Sequence, residues 1–185
     1  MLRAILLYGV LAGLIVIVPL AWSLTQNPSP DAPTSSELFG YTLMVVALSL
    51  TFVGVKRHRD RELGGVIKFL PALLMGLGIS AVAATIYVIG WEITLRLTDY
   101  AFLDTYFDGH VESMLAKARE SGKTAAQIEK MVAEMVSFRA QYANPLFRLP
   151  VTFVEIFPVG VVVSLVSAAL LRNSRFLPAR AGANT

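Results

Sequence analysis

The sequence predicts an all-α membrane protein, a four-transmembrane-helix bundle with an extracytoplasmic helical hairpin between helices three and four. Three observations lead there. Hydrophobic residues make up 55% of the 185 and charged residues only 16%, where an ordinary soluble domain carries about 25% charged residues; mean hydropathy is +0.62. Four apolar stretches approach or exceed the roughly 20 residues needed to cross about 30 Å of hydrocarbon. The short connecting segments keep their Lys and Arg on one side.

The first stretch, 4–22, contains no charge. Arg3 in front of it and Ala21-Trp22-Ser23 behind it loosely fit a cleaved signal peptide, but the apolar run exceeds the usual signal core of roughly 7–15 residues. It also carries Gly9 and Gly13, a spacing that lets two helices approach closely. The second and shortest stretch is 39–55. A basic segment follows, Lys56-Arg57-His58-Arg59-Asp60-Arg61-Glu62-Leu63-Gly64-Gly65, which reads as a loop whose glycines turn the chain back into the membrane. The third stretch, 69–91, presents Ala72, Gly76, Ser80 and Ala84 at four-residue steps; the fourth, 149–171, presents Gly160, Ser164 and Ala168. Gly9, Gly13, Gly76, Ser80, Gly160 and Ser164 are therefore the expected helix-packing residues. Their number leaves room for oligomerisation as well as for closing one bundle.

Orientation comes from the short loops. Lys56, Arg57, Arg59, Arg61 and Lys68 lie between stretches two and three, Arg3 precedes the first, and Arg172, Arg175 and Arg180 follow the fourth, while 23–38 has no Lys or Arg. The positive-inside rule then places both termini and the middle loop in the cytoplasm, with Pro30 and Lys123 outside. Lys56, Arg57, Arg59 and Arg61 are the expected contacts to anionic headgroups on the cytoplasmic side. The chain divides into 1–98 (three spans and the basic loop), 99–147 (the hairpin) and 148–185 (the fourth span and tail).

The hairpin is read from periodicity. Val111, Met114, Leu115 and Ala118 recur at helical spacing, as do Ile128, Met131, Val132, Met135, Phe138 and Tyr142. Ser121-Gly122 breaks the pattern and Thr124 with Gln127 forms a capping box. Helices are expected near 108–121 and 125–142, with Met131, Met135 and Phe138 buried. Asn144-Pro145 ends the second helix.

Several chemistries lose support at the level of composition. The chain has no cysteine, which excludes disulfides, thiolate metal sites and thiol catalysis. A net charge of +3 does not point to nucleic acid. Ser121-Gly122-Lys123-Thr124 resembles the end of a phosphate-binding loop, but the glycine that motif needs five residues earlier is Lys117 and no strand precedes it. His58 and His110 fall on opposite sides of the membrane and lack metal-ligand neighbours. No catalytic, cofactor-binding or metal-ligating set emerges, so a non-enzyme without cofactors is expected. The candidate polar cluster is Glu92, Arg96, Arg148 and Glu155, because charges inside or at the end of spans face protein or water. Glu92 precedes Arg96 by four, the favourable order for a helical ion pair. Glu155 sits three residues before Pro158 and is expected to face the bundle interior near Glu92 or an arginine.

Two blocks carry a family resemblance. One runs from Gly40-Tyr41 through Leu48-Ser49 and Phe52-Val53-Gly54-Val55-Lys56 to Arg59-Asp60 and Leu63-Gly64-Gly65-Val66-Ile67. The other is Asn144-Pro145-Leu146-Phe147-Arg148 with Phe153-Val154-Glu155-Ile156-Phe157-Pro158-Val159-Gly160 and Ser164-Leu165-Val166-Ser167-Ala168. Both resemble a bacterial membrane-protein family of unknown function, domain-of-unknown-function family four-one-nine-nine, over nearly the whole chain. The resemblance implies a small four-span protein of the bacterial inner membrane and supplies no activity, substrate or cofactor. Two functional classes remain. A non-enzymatic scaffold or accessory subunit, with a homo-oligomer or membrane-complex partner, is favoured. The alternative is a small oligomeric transporter or channel using Glu92 and Glu155.

Overall fold

A hydrophobic segment that must satisfy its own backbone in lipid has the helix as its simple solution. The computed structural model of the chain describes residues 1–26 and 37–179, apart from the side chains of Glu37, Phe102 and Tyr106. Pro30, Arg180 and Thr185, which the charge asymmetry concerns, lie outside the described residues. The described residues form seven helices and no strand: α1 (Leu2–Gln26), α2 (Glu37–Leu48), α3 (Leu50–Glu62), α4 (Phe69–Leu97), α5 (Ala101–Glu120), α6 (Ala125–Tyr142) and α7 (Pro145–Leu171). Four segments are long and apolar enough to cross a membrane: Leu2–Thr25, Leu38–Glu62, Phe69–Leu97 and Pro145–Leu171.

α2 and α3 form the second of these, interrupted at Ser49. Its backbone stays near-helical while its hydroxyl donates to the Val46 carbonyl at 2.6 Å, a local bond that competes with the helix ladder. This segment departs from the sequence reading. The basic residues expected in a loop lie on α3, which runs to Glu62 before a turn at 63–68. The helix continues because Lys56 pairs with Asp60 four residues on, a spacing that supports helix. Gly64 and Gly65 end it with φ of +64° and +89°, values open to glycine without strain.

α4 is the central helix, flanked by α1 and α7, and small residues set both approaches. α1 runs parallel to α4: a methyl placed on Gly9 would lie 2.5 Å from Val82 Cβ, and one on Gly13 would lie 2.7 Å from Ile86 Cβ. Gly78 and Gly90 of α4 receive Ile5 and Ile17 of α1 in the same register. α7 runs antiparallel to α4 in a reciprocal pairing, Gly76 against Ser164 and Gly160 against Ser80. The two hydroxyls stand 3.3 Å apart. All six expected packing residues are thus used within the chain. The small-residue ladders that left room for oligomerisation are already filled.

The hairpin differs from expectation at its start, since α5 begins at Ala101 rather than near 108. Just past the end of α4, Asp99 takes φ +47°. The Tyr100 N–H reaches back to Leu95 O at 2.9 Å and the Asp99 N–H to Arg96 O at 3.3 Å, the paired closure of a left-handed helix cap. The same closure recurs at Gly122, where Lys123 N–H bonds Ala118 O and Gly122 N–H bonds Arg119 O. Thr124 and Gln127 then complete the capping box that starts α6. Ser121-Gly122-Lys123-Thr124 is accounted for by these two caps. Met131 and Met135 are half-buried and Phe138 is exposed rather than buried: only the base of the hairpin has a third helix to pack on. α7 starts at Pro145, with Asn144 Oδ1 accepting from Leu146 N–H, so proline takes the first helical position, where its missing donor costs nothing.

Candidate functional site

The polar side chains at the hairpin end of the bundle come from four helices. Arg148, in the first turns of α7, is 1% exposed. Its Nε donates to Glu92 Oε1 at 2.6 Å and its Nη2 to Glu92 Oε2 at 2.8 Å, the two-pronged geometry that a planar guanidinium offers a carboxylate. Nη1 donates to the Tyr142 carbonyl at 3.1 Å. The rings of Tyr100 and Tyr142 lie 5.5 and 5.9 Å from its guanidinium carbon, adding cation–π attraction. Arg148 thereby joins α4, the end of α6 and α7.

A second network lies beside it. Trp91 Nε1 donates to the Tyr142 hydroxyl at 3.1 Å, and that hydroxyl is 3.2 Å from Thr152 Oγ1. Burial holds the Tyr142 phenol above its usual pKa; its hydrogen bonds with Thr152 and Trp91 oppose the shift without cancelling it. The hydroxyl therefore stays neutral throughout the physiological range. Farther out, Arg139 of α6 holds Asp104 at 2.6 Å and Asp108 at 2.9 Å on α5. Phe107 meets Phe138 and Tyr142 at ring separations of 6.1 and 5.9 Å. A cavity of about 300 Å³, lined by Tyr100, Phe107, Arg139 and Arg148 among others, opens at this junction.

The structure brings together two of the four candidate residues. Glu92 and Arg148 pair. Arg96 is exposed and makes no ion pair among the described residues; Glu92, four residues before it, is held by α7 instead. Glu155 departs from the expectation that it faces the bundle interior. It is exposed on α7 and accepts a hydrogen bond from Tyr87 of α4, at the edge of the α4–α7 seam. It makes no ion pair among the described residues. The physical reason is helical phase: Thr152 and Ile156 take the α4-facing positions, which turns Glu155 outward.

At the basic end, Arg59 departs from its expected role as a headgroup contact. It is fully buried, donates to the carbonyls of Leu171, Phe176 and Leu177, and pairs with Asp60. It closes the C-terminus of α7 and fixes the turn beyond it. Arg57 and Arg61 are exposed and Lys56 is half-buried against Asp60. Nothing in the local spacing could have shown that Arg59 caps α7, since the carbonyls it holds lie more than a hundred residues on. The link between Trp91 and Tyr142 was equally hidden, although each residue stands out in its own segment. Among the described residues no three His, Asp or Glu side chains gather as metal ligands. Chemically, the Glu92–Arg148 pair has both carboxylate oxygens engaged and acts as a clamp.

A family model described as a protein of unknown function, DUF4199, matches residues 7–173. No curated protein and no solved structure matches the chain.

Proposed function

We infer, for a chain that belongs to the DUF4199 family of proteins of unknown function, the role of a non-enzymatic accessory subunit of the bacterial inner membrane that docks a partner helix on the α7 face around Glu155. The observation that carries this reading is Glu155 itself. An ionisable side chain inside a spanning helix is costly in lipid, by roughly 2–3 kcal/mol or more at the bilayer centre. Here it is exposed from the bundle, supported by one tyrosine hydroxyl. A partner helix bearing a lysine, arginine or hydrogen-bond donor would remove that cost. The proposed orientation keeps both termini and the basic end of α3 in the cytoplasm and the α5–α6 hairpin outside. In support, Arg3, Lys56, Arg57, Arg59, Arg61 and Lys68 all belong to the chain segments at the end opposite the hairpin.

The transport alternative keeps Glu155 near Pro158, but α7 runs unbroken from Pro145 to Leu171, whereas transport sites often use interrupted helices. It loses Glu92, whose oxygens are both taken by Arg148. The test is purification of the tagged full chain from native membranes in mild detergent. A stoichiometric partner retained by the wild type and lost from Glu155→Leu, with unchanged thermal unfolding, is expected. If Glu155→Leu retains every partner, the docking role is wrong; if Glu155→Gln instead abolishes cation-dependent flux in vesicles, transport replaces it.

A further inference from the structure

We propose that the cleft between the basic ends of α1 and α3 binds a phosphate group, carried either by an anionic membrane lipid or by a soluble phosphate ester. The cleft has a volume of about 240 Å³ and is lined by Arg3, Arg57, Arg61, Tyr8, His58 and Glu62. That is ample room for a phosphate and its first ester carbons.

Convergence of cations sets this place apart. Elsewhere the buried or half-buried cations are matched: Arg148 with Glu92, Arg59 and Lys56 with Asp60, and Arg139 with Asp104 and Asp108. Arg3, Arg57 and Arg61 converge on one cleft, and none has a carboxylate partner among the described residues. The single carboxylate present, Glu62, is already engaged by groups other than these arginines. It stands 3.4 Å from the Met1 amine and 3.0 Å from His58 Nδ1. Three guanidiniums against one engaged carboxylate leave an excess of positive charge and many unused N–H donors. A tetrahedral phosphate accepts several such donors at once, two from each guanidinium face.

The cleft is also shaped to hold its arginines. Arg57 and Arg61 lie one turn apart on α3, and the Arg57 guanidinium donates to the Tyr8 hydroxyl at 3.4 Å. Tyr8 is buried, and its ring fits because Gly54 opposite carries no side chain; a methyl there would lie 2.9 Å from the ring. Leu7 and Ala4 supply an apolar wall on the α1 side. The site therefore joins cationic donors to an apolar surface where two apolar helices reach their charged ends. That is the setting of a phospholipid headgroup, whose phosphate and acyl chain need opposite environments.

The experiment uses the full chain in neutral detergent and follows thermal unfolding as dioleoylphosphatidylglycerol, dioleoylphosphatidylcholine or inorganic phosphate is added at constant ionic strength. A saturable rise with phosphatidylglycerol is expected, with little response to the zwitterionic lipid. A saturable rise with inorganic phosphate assigns a soluble source to the same site. At about fivefold per charge near a membrane surface, Arg57→Gln/Arg61→Gln should weaken the apparent affinity about 25-fold. Glu62→Gln should tighten it about fivefold. Arg172→Gln/Arg175→Gln removes two charges outside the cleft and should leave the affinity within a factor of three or so. Equal weakening by the two double variants means diffuse attraction and overturns the site, as does the lack of any response in the wild type. If the α3 double variant does not fold without ligand, Arg3→Gln, exposed in the first turn of α1, provides the same reading.

Discussion

Arg148 and Arg59 turn their charge inward at opposite ends of the bundle, and each is held by groups distant in the chain. A charge at the end of a span is legible in a sequence; its partner is not. The i, i+4 spacing points Glu92 to Arg96, yet α7 brings Arg148 into a fully two-pronged pair that a neighbour on the same helix cannot match. Breaking a buried pair from one side leaves a stranded charge and costs about 3–5 kcal/mol. Arg148→Met should accordingly lower the unfolding temperature in detergent sharply, and Glu92→Gln somewhat less. The double variant should recover at least half of the loss. Strictly additive losses would show that the two side chains do not act as a pair. Glu155 illustrates the complementary limit: its unusual place in a span is evident from the sequence, whereas the face it presents depends on a helical phase that Thr152 and Ile156 decide.

At the scale of helices, hydropathy located all four spans, because lipid imposes a length and a composition that local propensity does not blur. It failed where charges continue a helix beyond the apolar part. α3 runs on through Lys56–Glu62, and α5 takes up the residues after Tyr100. In both places helical pairs and caps, rather than apolar content, decide the boundary. The small-residue ladders were legible as packing surfaces, and the structure supplies their partners. Gly9→Ala would place a carbon 2.5 Å from Val82 Cβ and 2.8 Å from the Ile79 carbonyl. Overpacking of that kind costs about 1–3 kcal/mol. Gly40→Ala, with nothing within 4 Å of the added carbon, should be neutral or stabilise by up to about 1 kcal/mol, as expected when a helix interior loses a glycine. Thermal unfolding of the two variants side by side is the measurement; a Gly9→Ala protein as stable as Gly40→Ala would remove the close α1–α4 approach.

The whole molecule is a bundle with an appendage whose attachment is firmer than its tip. Tyr142 and Phe107 pack at the base beside Trp91, whereas Met131 and Met135 are only half-covered and Gly122 faces open space. Hydrogen exchange should therefore be slow near 138–142 and faster toward 125–130; uniform rates along α6 would contradict this gradient. Orientation can be read with single cysteines, since the chain has none of its own. His58 is buried, so the exposed Arg61 and Lys123 are the better positions. An impermeant thiol reagent applied to cells with a permeable outer membrane should label Lys123→Cys and spare Arg61→Cys; the reverse pattern inverts the topology. The parallel register of α1 on α4 also has a consequence in time. Ile5, Gly9, Gly13 and Ile17 meet partners roughly seventy residues later, so at the usual roughly 5–20 residues per second of synthesis the first helix spends several seconds in lipid before α4 exists. A segment that must wait there can carry glycine and isoleucine on its future contact face but no charge, and 4–22 has none.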